Sequence, residues 1–405
     1  MVSRSILLIA ALGLPQTAQA DGGDAIYIEQ ISLDNTFGHL NVVIPEDGEG
    51  DASASLEAGG NDAFGQAAYG RMMMSVDQKQ YGAAIATAQI EGGSTAGAVS
   101  AITESHGNRA DASNLSGSTQ YLAYQTNDGY TQATTNVNIH TSRTLDARTT
   151  AVANASAHST TFGDNRGYSE QTANGDVLAD ARVQACCVSE TVEVDTAAAG
   201  NAMVATGDTS TLVAGAVQLT ADGAAIRGRT STVLGRAVDV SVATSAAGNS
   251  AEAINSHGYA LLGREGSEVF QGNVADVSAE TSATIQQLYG EAAISANGVG
   301  NTLSLSNVGA DTDLQSIQSN YGDVSATASL EGISGSGVGM VEAIAVGNDA
   351  TAMLCDVCGT ATLSGTIQQA NFGQVQARTE VTGETGDISA ATTVFGNRAS
   401  FIVGD

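Results

Sequence analysis

The segment Gln318-Ser-Asn-Tyr-Gly-Asp-Val-Ser-Ala326 decides the fold, because it returns almost unchanged as Gln369-Ala-Asn-Phe-Gly-Gln-Val-Gln-Ala377. Weaker copies begin at Gln78, Gln125, Gln171, Gln218 and Gln271. Successive copies are about 48 residues apart, which is the signature of a repeat architecture. The chain is therefore built from one structural unit used about eight times.

A second motif, Gly-Asn in an Ala-rich stretch, lies about halfway through each unit. Its clearest copies carry Asn249, Asn301, Asn348 and Asn397. Because two different motifs keep the same phase along the chain, chance similarity in a Gly/Ala-rich sequence is a poor explanation.

The residues after each motif glycine alternate, as in Val324-Ser-Ala326-Thr-Ala328. This period of two is typical of β-strands with one face inward. Glycine and asparagine interrupt the strands because both tolerate the left-handed conformation of tight bends. Short strands cannot bury a face alone, so each unit is expected to stack on the next. The sequence predicts an all-β protein, a β-solenoid.

Equivalent positions in stacked units lie about 4.8 Å apart, so repeated amide side chains are predicted to form hydrogen-bonded ladders. The repeat residues assigned to ladders and bends are Gln318, Asn320, Gly322, Gln369, Asn371 and Gly373, with the Gly-Asn asparagines named above. The alternative is that these amides are exposed turn residues. The half-unit offset favours two coils of about 24 residues per repeat, whereas a coil of about 48 residues would halve the length of the rod.

The composition divides the chain into three regions. Residues 1–20 are predicted to be a signal peptide, with Arg4, an apolar run too short to span a bilayer, and an Ala18-Gln-Ala20 cleavage site. Residues 21–50 are richer in bulky apolar side chains and are predicted to form an N-terminal cap and a degenerate first repeat. Residues 51–405 are the repeat solenoid. The chain is therefore expected to be exported and not to span a membrane.

The formal net charge is −29, and Lys79 is the only lysine. Nucleic acid is excluded as a partner because its phosphates would be repelled. Binding to an anionic membrane surface is disfavoured for the same reason. Self-association remains an open alternative, because the apolar residues Ala399 to Val403 offer a place where another subunit could stack.

Four cysteines are present, and an exported chain meets an oxidising compartment. In a solenoid Cys186 and Cys187 are too far from Cys355 and Cys358 to pair with them, so pairing is expected to be local. Cys355 and Cys358 can close a tight turn. Adjacent Cys186 and Cys187 would form a strained ring, so pairing with another chain is the alternative.

No cofactor, metal site or catalytic site is predicted. The five histidines have no neighbours at metal-ligand spacing and are interpreted as exposed turn residues. Carbohydrate-active β-helices need clustered acids, a basic residue and aromatic platforms on one face. This chain has no Trp and its Arg residues are scattered, so an enzyme is the least favoured interpretation.

The size, the signal peptide and repeats such as Ile367-Gln-Gln-Ala-Asn-Phe-Gly373 and Val394-Phe-Gly-Asn397 resemble the HfaD holdfast-anchor family of stalked alphaproteobacteria, with distant similarity to curli-type repeats. The resemblance implies a cell-surface or outer-membrane-associated adhesion protein that helps tether an adhesive holdfast polysaccharide to the envelope. It also implies other surface anchor proteins and an outer-membrane secretion or anchor protein as partners. The alternative is a secreted β-solenoid matrix or amyloid-like filament subunit without a holdfast role.

Overall fold

Strands account for all the regular structure in the part of the chain that the computed structural model describes, residues 16–19, 25–48, 50–263, 269–355, 361–383 and 387–404. In chain order the strands are β1 (Gln16–Gln19), β2 (Ala25–Ser32), β3 (Thr36–Gly48), β4 (Ala52–Ala67), β5 (Gly70–Gln80), β6 (Ala84–Thr95), β7 (Ala98–Asn127), β8 (Thr131–Ser142), β9 (Thr144–Ala173), β10 (Val177–Val188), β11 (Thr191–Asp208), β12 (Ser210–Thr220), β13 (Ala225–Ala237), β14 (Asp239–Ser256), β15 (Ala260–Leu262), β16 (Val269–Asn273), β17 (Asp276–Leu288), β18 (Glu291–Val308), β19 (Thr312–Asn320), β20 (Val324–Gly335), β21 (Val338–Cys355), β22 (Leu363–Asn371), β23 (Val375–Gly383) and β24 (Asp387–Gly404). The prediction of an all-β protein is confirmed.

The strands stack in three parallel walls. Wall A contains β4, β11, β14, β18, β21, β24 and the first parts of β7 and β9, with β1 paired to β4. Wall B contains β2, β5, β12, β15, β16, β19, β22 and the later parts of β7 and β9. Wall C contains β3, β6, β8, β10, β13, β17, β20 and β23. The chain passes from wall B to wall C to wall A and then into the next coil.

One full repeat makes one coil. Paired amides on adjacent coils are separated by 46 residues at the shortest, Asn108 to Asn154, and by 53 at the longest, Gln218 to Gln271. The expectation of two coils per repeat is wrong, because the two motifs mark two corners of the same coil. The Gln-x-Asn motif lies between walls B and C, and Gly-Asn lies in the middle of wall A.

The Gly-Asn corner bends wall A without ending its strand. Gly248 and Asn249 of β14 are adjacent and both buried, so the inward face changes from one parity to the other at this step. Before the corner, Val240 and Val242 pack in a cluster with wall C; after it, Ala251 packs against wall B. Each coil is thus a flattened loop in which wall A covers both other walls.

The core is thin and built of small side chains. Most buried apolar positions are Ala or Val, and between corners the strands carry inward residues at every second position, as in Ala326 and Ala328 of β20. Small residues let the walls approach closely, and no aromatic cluster is needed to fill the interior. Stability therefore comes from many repeated contacts between neighbouring coils, as in other repeat proteins.

The two ends differ in burial. In β2 the inward-facing Ile28 and Gln30 are buried, whereas the inward-facing Gln369 of β22 and Val375 of β23 are only half-buried. No described strand pairs with the far edges of β22, β23 and β24. That last coil also exposes Phe401.

The predicted signal peptide lies mostly outside the described residues. Of residues 1–20, the structure describes Gln16–Gln19, which pair with Ala63–Gln66 of β4. The predicted cap and first repeat, 21–50, contribute β2 and β3, which pair with β5 and β6. Within the described ranges, no helix is long and apolar enough to cross a membrane.

Candidate functional site

A column of glutamines runs along the interior side of wall B. Each Nε2 donates to Oε1 of the glutamine one coil earlier, over 2.7–2.8 Å. The column contains Gln30, Gln78, Gln125, Gln171, Gln218, Gln271, Gln318 and Gln369. The same Nε2 also donates to a backbone carbonyl of wall A, for example Gln318 to Asp349 over 3.0 Å. The amides therefore join the coils along the stack and tie wall B to wall A.

The Gly-Asn asparagines form a second column that donates in the opposite direction. Each Nδ2 donates to Oδ1 of the asparagine one coil later, over 2.7–2.8 Å. The column contains Asn61, Asn108, Asn154, Asn201, Asn249, Asn301, Asn348 and Asn397. Asn301 also donates to the Ser319 carbonyl of wall B over 2.9 Å. A shorter column of the same polarity joins Asn273, Asn320 and Asn371.

The motif glycines are required by close stacking. A Cβ on Gly322 would lie 2.6 Å from the carbonyl carbon of Ala275 in the preceding coil, and one on Gly373 would meet Gly322 in the same way. Neither glycine has a positive φ, so the expected left-handed bend is wrong at these two positions. Ala275 occupies this column where the turn beneath it is longer by two residues, with eight from Gln218 to Ile226 against six from Gln318 to Val324. A Cβ on Gly223 in that longer turn would meet nothing within 4 Å.

The histidine interpretation is wrong for two residues. His158 is 1% exposed, its Nδ1 lies 2.9 Å from Oδ1 of Asn165, and its ring stacks on Tyr121 at 5.3 Å. Burial lowers the pKa of His158 to about 4. His106 is also buried, and burial lowers its pKa to about 4 although the charge of Glu57 opposes the shift. In both rings Nε2 has no hydrogen-bond partner among the described residues.

The three described cysteines lie near the ends of strands. Cys186 and Cys187, half-buried in β10, carry unbonded sulfur atoms 2.8 Å apart. Cys355 ends β21 and is half-buried. Cys358 lies outside the described residues, so the predicted Cys355–Cys358 pairing stays a prediction.

A groove of about 790 Å³ opens on the outer face of wall B. Its lining includes Gly215 of β12, together with Tyr259 and Leu261, which lie just before and within β15. Tyr259 and Leu261 belong to the longest coil, with 53 residues from Gln218 to Gln271.

The groove combines aromatic and polar side chains. Tyr168 and Tyr259 contribute rings, and Arg166, Asp313 and Gln315 contribute hydrogen-bonding groups. These residues come from strands in several coils, brought into adjacent rows by the parallel register. Sequence reasoning missed this site, because outward positions carry no periodic pattern. The one signal was the unusual length of that repeat.

In the described ranges, no group of three or more His, Cys, Asp or Glu side chains could hold a metal ion. Salt bridges include separate surface pairs, such as Arg229 with Glu280 at 3.2 Å, and small groups, such as Arg109 with Glu57 and Asp111. The arrangement defines a class of protein: an acidic, repetitive, parallel β-protein.

Comparison with known families identifies the chain further. The family model for HfaD, holdfast attachment protein D, matches residues 46–315. The chain therefore belongs to the HfaD family, and the suspected resemblance is confirmed. Membership gives it a structural role in holdfast attachment at the cell surface or envelope. No curated protein and no solved structure matches the chain significantly.

Proposed function

We propose that this chain helps anchor the adhesive polysaccharide of a holdfast to the cell envelope. The observation that carries the proposal is the family match, which covers residues 46–315. The eight coils of wall C give a rod about 35 Å long, since neighbouring strands are about 4.8 Å apart. A rod held by continuous ladders of hydrogen bonds along its axis suits a protein that transmits tension.

The groove on wall B is the part of the surface that we assign to the polysaccharide. Sugar rings present apolar C–H faces and polar hydroxyl edges, which match aromatic rings and side chains that hydrogen-bond. Tyr168 and Tyr259 supply the rings, and Gln315 and Asp313 supply acceptors and donors around them. The net charge of −29 favours a neutral or cationic sugar over an acidic one.

The proposal includes the route to the surface and the partners there. Residues 1–20 would direct export as a signal peptide. An outer-membrane secretion or anchor protein would then hold the chain on the envelope, beside other surface anchor proteins. The exposed acidic faces favour contact with basic surfaces of those partners.

A second candidate function is a matrix or filament subunit without a holdfast role. It is favoured by the last described coil, where the inward-facing Val375 and Gln369 are only half-buried and β22 to β24 have no described partner strand on their far side. A second copy stacked on this coil would bury those residues and continue both ladders. A carbohydrate-active enzyme is disfavoured by the family's attachment role.

The test compares a deletion strain with its parent under flow, with the surface polysaccharide fluorescently labelled. Shedding of the adhesive from cells that lack the protein is the expected result. If adhesive stays on the deletion cells and attachment is normal, the anchoring proposal fails. Sedimentation of the purified chain then decides whether the filament alternative replaces it.

A further inference from the structure

The adjacent thiols of Cys186 and Cys187 occupy an unusual position in wall C. Side chains that follow one another in a strand normally point to opposite faces. Here both cysteines are half-buried, although residues 181–185 just before them alternate between buried and exposed. The pairing to β8 and β13 passes from Ala185 directly to Cys187 and skips Cys186. The strand therefore turns a corner at this step and places the two sulfur atoms side by side.

The distance between the sulfur atoms is 2.8 Å, which is closer than unbonded sulfur atoms normally pack. Closing a disulfide would require an approach of only about 0.8 Å, since the bond is about 2.0 Å long. Among the described cysteines no other partner is near. Cys355 belongs to a coil about three positions further along the stack, roughly 14 Å away, beyond the reach of a disulfide.

We propose that Cys186 and Cys187 form a reversible vicinal disulfide within one chain, which makes this corner a redox-sensitive modification site. The inference is independent of the groove and of the anchoring role. Neighbouring Cα atoms are about 3.8 Å apart, which is shorter than disulfides usually accept, so the ring of eight atoms is strained. Strained, accessible disulfides are the easily reduced ones.

The chemistry is thiol–disulfide exchange with a small or protein disulfide as the oxidant. One cysteine thiolate attacks the oxidant's disulfide, forms a mixed disulfide and releases one thiolate. The neighbouring thiolate then attacks the cysteine sulfur of that mixed disulfide and displaces the second thiolate. The chain loses two electrons and two protons, and the oxidant is reduced to two thiols. An excess of reduced thiol reverses both steps.

The surroundings affect the rate of the first step. The thiol–thiol hydrogen bond raises the pKa of Cys186, and the charge of Arg236 opposes that shift. Cys187 is paired in register with Arg236 on one side and with Thr141 on the other. Oxidation should therefore accelerate as the pH rises above neutrality, because more thiolate is then present.

The test uses the mature chain with Cys355→Ser and Cys358→Ser, so that only the vicinal pair remains. After incubation with glutathione disulfide, intact mass spectrometry should show loss of two hydrogens and no uptake of iodoacetamide. Reduced glutathione should restore two alkylatable thiols. The matched control adds Cys186→Ser, and it should instead retain one glutathione, because the second exchange step is impossible.

Three outcomes would overturn the proposal. The first is that both thiols of the unsubstituted pair still react with iodoacetamide after equilibration with the disulfide. The second is persistent glutathione adducts on the pair, which would mean that the ring cannot close. The third is a disulfide-linked dimer on non-reducing gels, which would show pairing between chains.

Discussion

Substitution of Gly300 by alanine tests whether close stacking, rather than backbone conformation, is the reason for glycine in the Gly-Asn corner. A Cβ at Gly300 would lie 2.5 Å from the carbonyl oxygen of Gly347 in the next coil, and closer still to Oδ1 of Asn320. Both neighbours are held in the stack. Relief therefore requires the coils to separate or the asparagine column to break.

The expected loss is about 2 kcal/mol. Overpacking a tight interior costs about 1–3 kcal/mol. Displacing Asn320 also weakens its ladder bond to Asn371, worth about 1 kcal/mol. The small gain from restricting the unfolded chain, about 0.4–1 kcal/mol, acts in the opposite direction.

The same motif supplies a matched control. Gly396 occupies the equivalent corner of the last coil, where the nearest atom to a new Cβ is Asn371 Nδ2 at 3.6 Å. Gly396→Ala should therefore be neutral or slightly stabilising. Urea unfolding followed by far-ultraviolet circular dichroism measures the global effect, and hydrogen exchange in β18 and β21 reports the local one. Equal urea midpoints for the Gly300→Ala and Gly396→Ala variants would refute the stacking argument.

Further predictions concern the ladder, the buried histidines and the groove. Gln218→Leu should lower the free energy of unfolding by about 2–3 kcal/mol, because buried Gln171 Oε1 loses its donor and Gln271 Nε2 loses one of its two acceptors. Gln376→Leu on an exposed face should change urea stability by less than about 0.5 kcal/mol. His106 and His158 should make the protein less stable as the pH falls from 6.5 towards 4, by up to about 3 kcal/mol each, because the unfolded chain binds protons that the folded chain rejects. The urea midpoint should depend less on pH across that range in a variant that carries both His106→Gln and His158→Gln. A pH dependence equal to that of the unsubstituted protein would contradict buried, neutral imidazole rings. Tyr259→Ala should raise adhesive shedding under flow to the level of the deletion strain, while Tyr289→Ala, exposed and outside the groove, should not.

Sequence periodicity predicts the class of fold because alternation in Val324-Ser-Ala326 directly reflects which side chains point inward. It does not predict the length of the coil. In one motif glycine follows an aromatic residue, in the other it precedes asparagine, and both motifs mark corners. In the sequence, two corners of a single coil therefore look the same as one corner in each of two coils. Only the pairing of Asn249 with Asn301, one repeat apart, resolves the ambiguity.

The burial of His158 could have been predicted from the alternation of inward and outward residues along its strand. His158 lies four residues after Asn154, on the same parity as the inward Ser156, so alternation places it inside. The groove could not have been found in this way. Its residues are outward-facing and come from different coils, and their adjacency depends on the register between strands that are far apart in sequence.

The opposite directions of the two amide columns have an electrostatic consequence. Each glutamine amide dipole points along the rod one way, and each Gly-Asn amide dipole points the other way. Aligned dipoles of one polarity would add up with length, as they do in a helix, and would charge the two ends of the rod oppositely. Here the two long columns oppose each other, and the shorter column of Asn273, Asn320 and Asn371 adds to the Gly-Asn direction. Because the glutamine and Gly-Asn columns oppose each other, lengthening the stack by a whole repeat adds little to the field along its axis.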